Sequence, residues 1–121
     1  MVSFQDGELE LLREVVLLPV VLSVLERDKT AIEKSEIKTK WPYVESINVA
    51  MNRVTKQLGQ LKRDLHKKGL KVAKEQKTDF GIDCIFLCRG YSQQFFINWD
   101  VIKSETQRRM LQYITGEIDH S

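Results

Sequence analysis

The 121 residues include only two cysteines, two histidines and two prolines, and each scarcity excludes something. Two cysteines make no disulfide framework, which agrees with a reducing compartment. Cys84 and Cys88 are four apart in a segment of strand character, where they share a face but stand about 13 Å from each other. They cannot chelate one metal, and the expectation is two small buried hydrophobes and no metal site. His66 sits among Arg63, Lys67 and Lys68, and His120 is the penultimate residue, so neither suits a catalytic base. No phosphate-cradling glycine loop, dinucleotide fingerprint or nucleophile elbow occurs. The carboxylates Glu8, Glu10 and Glu14 have no apolar pocket in the pattern around them that would raise one for acid catalysis. The expectation is therefore a protein that is no enzyme and needs no cofactor.

Long apolar runs are missing too. The densest stretch, Val15 to Leu25, is interrupted by Pro19 and Ser23 and is too short to span a bilayer. Met1 to Glu10 is acidic where a secretory signal would be basic. These features predict a cytoplasmic protein without a membrane span. With 42% hydrophobic and 30% charged residues, the chain has the composition of one globular domain covering residues 1–121.

The net charge of +2 conceals an asymmetry. Residues 1–28 carry −4, residues 29–78 carry +8 and residues 79–121 carry −2. A locally basic surface attracts polyanions whatever the global balance.

Between about residues 8 and 27 the apolar residues are too dense for a one-sided stripe, which predicts a buried helix with a kink or fresh start at Pro19. A second copy covering the excess would make this helix a dimer interface. Arg27 to Lys40 has only Ala31, Ile32 and Ile37 as apolar anchors and suggests a short helix leading into a loop. Trp41-Pro42-Tyr43 marks a helix start, and an aromatic there is more often a staple onto the core than a platform for unpaired bases.

From about residue 43 to 68, Val44, Ile47, Met51, Val54, Leu58, Leu61 and Leu65 repeat at spacings of three and four. This heptad seam fits either a helix packed within one chain or a coiled coil with another. An internal seam predicts Val54, Leu58 and Leu61 covered by the chain itself. Gly69 is the helix stop. The period then changes to two, predicting a β-hairpin over about 70–89 with its turn at Thr78–Gly81. Ser92 to Ile97 is a candidate third strand, and a last helix covers about 98–115 with Asn98 as its N-cap. The fold class is α+β, helix-rich, with an antiparallel hairpin or three-stranded meander.

On the long helix Arg53, Lys56, Gln60, Arg63 and Lys67 also repeat at three and four, opposite the apolar seam. The order of parts, with Leu65-His66-Lys67-Lys68-Gly69-Leu70-Lys71-Val72 joining a basic helix to a hairpin, resembles a winged helix DNA-binding domain. That resemblance implies a nucleic-acid-binding regulator with Arg53, Lys56, Arg63 and Lys67 on or near the recognition helix and Lys74 and Lys77 on the wing. Two features depart from it. The connection Lys38 to Tyr43 is longer than a helix-turn-helix turn, and the helix is longer than recognition requires, unless it breaks near Asn48 or Gly59. The alternative is a small partner-binding or oligomerising protein, joined to a homodimer mate or another protein through the seam or the apolar N-terminal helix.

Overall fold

The computed structural model describes residues 7–117. Among them, three helices and a three-stranded antiparallel sheet form one α+β domain, in the order α1 (Glu8–Lys34), α2 (Trp41–Lys67), β1 (Leu70–Lys77), β2 (Gly81–Cys88), β3 (Tyr91–Asn98) and α3 (Trp99–Thr115).

α1 is central because its apolar residues face two clusters at once. Leu12, Val15, Leu18, Val21 and Leu25 pack with Ile47, Ala50, Val54, Leu61 and Leu65 of α2, and with Leu70, Phe86, Cys88 and Tyr113. Val16 and Leu17 pack instead against Ile82, Cys84, Ile97 and Ile102. The density that no single stripe could absorb is thus shared between α2 on one side and the sheet with the start of α3 on the other. The first half of α1 is enclosed, whereas beyond Leu25 no residue is buried.

Two expectations about α1 need correcting. The helix runs without interruption through Pro19, so there is no fresh start there, and it continues past Arg27 to Lys34. Pro19 is exposed, so the hydrogen bond that its missing N–H removes is lost on the solvent side. The charged segment after Arg27 is the solvated end of the same helix and not a separate one.

α2 is also unbroken, with no interruption at Asn48 or Gly59. Its seam is internal: Val54 is fully buried, Leu61 nearly so, and Leu58 is partly buried against the same cluster. The helix ends at Gly69, whose φ of 70° suits the residue after a helix C-terminus. Trp41 and Tyr43 are 74% and 55% exposed, so neither staples the helix start to the core.

The sheet is a meander in which β2 is central. Pairings such as Cys84 with Glu75 and Phe95, and Ile82 with Lys77 and Ile97, put those residues on the face that meets the helices. Ile85, paired with Lys74 and Gln94, lies on the outer face. A bulge at Ala73 shifts the register of β1, and with its lysines it blunts an edge open to strand addition. Cys88 and Tyr91 close the β2–β3 turn. Its two central residues, Arg89 and Gly90, have φ of 50° and 90°, as a type I′ turn requires. Asn98 caps α3 by accepting from the Val101 N–H at 2.9 Å.

Candidate functional site

The six basic residues singled out from the sequence do not form one surface. Arg53 is half-buried and donates from a guanidinium nitrogen to the Tyr113 carbonyl at 2.7 Å and to the Ile114 carbonyl at 3.4 Å. It satisfies the last turn of α3, where a cation also complements the helix dipole. Arg53 is thereby a structural clamp between α2 and α3.

Lys56, Arg63 and Lys67 remain on the exposed side of α2. Arg63 donates to Gln60 Oε1 at 2.9 Å, and Gln60 donates in turn to Asp64 Oδ1 at 2.9 Å. Among the described residues Asp64 is thus the carboxylate linked into this stripe, through an amide and with no direct ion pair to a cation. Lys74 and Lys77 are both exposed, yet their partners place them on opposite faces of the sheet: Lys74 beside Ile85 on the outer face, Lys77 beside Ile82 on the helix-facing side. Their odd separation already encodes this, because strand side chains alternate. Lys71 shares the outer face with Lys74, since the bulge at Ala73 restores their parity.

The ion pairs lie elsewhere. Glu8, fully buried, receives both terminal nitrogens of Arg89 at 3.0 and 3.2 Å. That hydrogen bonding raises the Arg89 pKa, against a smaller opposing effect of burial. Buried Arg109 binds Glu14 and Glu105, and Arg108 also reaches Glu105 at 2.8 Å. Burial works against the Arg109 cation, and the hydrogen bonds it donates to Glu14 and Glu105 outweigh it, so its pKa is raised. Hydrogen bonds from Arg108 and then Arg109 hold the Glu105 carboxyl down to about 2. With Arg27–Asp28, these account for every ion pair among the described residues, and none involves a cation from Lys29 to Lys77.

Chemistry of other kinds finds little support. Cys84 and Cys88 are free and buried. Burial, then the charges of Glu75 and Asp83, push the Cys84 thiol up to about 11, away from a reactive thiolate. Among the described residues no group of three His, Cys, Asp or Glu side chains could hold a metal ion, and no helix is long and apolar enough to cross a membrane. His120 lies outside the described residues.

The chain matches the family described as "YhjD protein" over residues 4–118. It is 24% identical over 93 residues, 77% of this chain and 78% of the other, to a protein of Bacillus subtilis (strain 168) named "Uncharacterized protein YhjD". No solved structure matches the chain.

Proposed function

The chain belongs to the YhjD protein family, and for this member we propose a non-catalytic, nucleic-acid-binding regulatory role in the cytoplasm. One observation carries the reading: the segment 29–78 bears +8, and among the described residues none of its cations is neutralised by an ion pair. Elsewhere the fold joins Arg27, Arg89, Arg108 and Arg109 to carboxylates. Charge left unpaired on one stretch of chain is available to a polyanion.

The contact surface is the exposed side of α2, with Lys56, Arg63 and Lys67 spread over about 16 Å of helix axis. Lys74 is a further phosphate contact on the outer sheet face. Arg53 is excluded by its role on α3, and Lys77 by the face it occupies. The six-residue connection between α1 and α2 and the unbroken α2 leave no short recognition helix of the helix-turn-helix kind. The proposed contact is therefore a long helix side laid along phosphates, with affinity from charge. The partner-binding alternative rested on the seam or on α1, and most of both packs against the chain's own elements, with Val44, Met51 and Leu58 of the seam half-buried.

Fluorescence anisotropy with random duplex DNA and single-stranded RNA, between about 50 and 200 mM salt, tests the reading. Four phosphate contacts give a log–log slope near −3.6 on duplex. The K56E/R63E/K67E variant is expected to lose binding while keeping its helical circular dichroism, whereas Arg53→Ala lowers thermal stability more than it lowers affinity. Binding unchanged in the triple variant would remove α2 as the site, and no binding at the lowest salt would remove the function.

A further inference from the structure

A second cationic site lies on the other flank of α2. Lys62 is nine residues from Arg53, which at about 100° per residue puts it on the opposite side of the helix. It and His66, one turn further on, line a recess of about 470 Å³ with Lys71 of β1. The remaining lining is hydrocarbon: Val15 of α1, Leu65 of α2, and Leu70 and Val72 at the start of β1. Val15, Leu65 and Leu70 are buried, so they form a fixed floor and not a mobile fringe.

The chemistry of the walls is one-signed. No carboxylate lines the recess, and neither Lys62, His66 nor Lys71 forms an ion pair among the described residues. An inorganic anion would satisfy the rim but leave the floor wet, and a neutral hydrocarbon would cover the floor but ignore the polar heads of Lys62 and His66. A ligand that matches both has an anionic head and an aliphatic body. The volume falls within the range of small-molecule sites, and no Phe, Tyr or Trp side chain lines the walls.

We propose that this recess binds a small amphipathic carboxylate, a medium-chain fatty acid anion, with its head at Lys62 and His66 and its chain on Val15, Leu65, Leu70 and Val72. The site is independent of the nucleic-acid reading, since it uses none of Lys56, Arg63, Lys67 or Lys74.

Decanoate titrated into the full chain, followed through the methyl resonances of Val15, Leu65, Leu70 and Val72, tests this, with decanol and inorganic phosphate as comparisons. The expected result is saturable one-site binding, about tenfold or more tighter for decanoate than for decanol, as one well-placed charge contact supplies. Phosphate leaves the methyl resonances unmoved. Lys62→Glu weakens decanoate by about tenfold or more without changing decanol, while K56E/R63E/K67E leaves decanoate binding intact even where it abolishes nucleic-acid binding. Equal affinities for decanoate and decanol, unchanged decanoate binding in the Lys62→Glu variant, or methyl shifts confined to other parts of the protein would each overturn the assignment.

Discussion

At the scale of single residues, the buried charges are held by partners far away in the chain. Arg109 on α3 reaches Glu14 on α1 as well as Glu105 one turn before it. Because the Glu105 carboxyl is held near 2 instead of its ordinary 4.5, its contribution to stability is complete above about pH 4.5 and is lost as pH falls through about 2. Thermal unfolding measured across that window should show a shallower decline for Glu105→Gln than for the wild type; superimposable slopes would mean the carboxylate is not held by Arg108 and Arg109. Gly81 offers a test of backbone proximity. A Cβ there would stand 2.1 Å from the Ile97 carbonyl oxygen and 2.7 Å from Asn98 Cα, neither of which can swing aside. Gly81→Ala should therefore cost about 3 kcal/mol, as overpacking at a rigid contact does, and urea unfolding would register it as a lower midpoint. Some residue roles were legible beforehand. Asn98 as N-cap and Gly69 as helix stop follow from local chemistry, whereas the duty of Arg53 depends on carbonyls 60 residues away, which no spacing along α2 could disclose.

At the scale of elements, the strength of the period decided what could be read. The alternation of three and four along α2 marked its buried side, because a helix with one side turned to the core needs one stripe. The far end of α1 escaped because Arg27 to Lys34 buries no residue; helix continuity there comes from the turns preceding it, and a charged solvated end has no apolar signature. Pro19 suggested a kink or a fresh start for a sound local reason, yet the helix runs through it unbroken. Its exposed position makes it a removable cost. Pro19→Ala restores the N–H donor to the Val15 carbonyl and should stabilise the domain by about 1–3 kcal/mol, raising the urea midpoint with an unchanged slope. A lower midpoint would show that the fixed φ of the ring stabilises the helix by more than the missing hydrogen bond costs.

For the whole molecule, the separation of charge along the chain becomes a separation of roles. Among the described residues the acidic first and last segments supply the carboxylates of every ion pair, and the cations of the basic middle, Arg53 apart, stay largely in water. Self-repulsion within that middle is screened by salt over about 10 Å at 0.1 M. The melting temperature should rise by a few degrees from about 10 to 200 mM sodium chloride, an increment that K56E/R63E/K67E should reduce. A melting temperature that falls with salt would place the balance with the ion pairs. The central position of α1 has one more consequence, in time. Val16 and Leu17 are made early, yet the residues that cover them include Ile82, Ile97 and Ile102. At 5–20 residues per second, roughly 4 to 17 seconds of synthesis separate Leu17 from the last of these. During that interval a greasy helix waits beside the ribosome half-clothed by α2, and the nascent chain is most in need of a chaperone before its sheet exists.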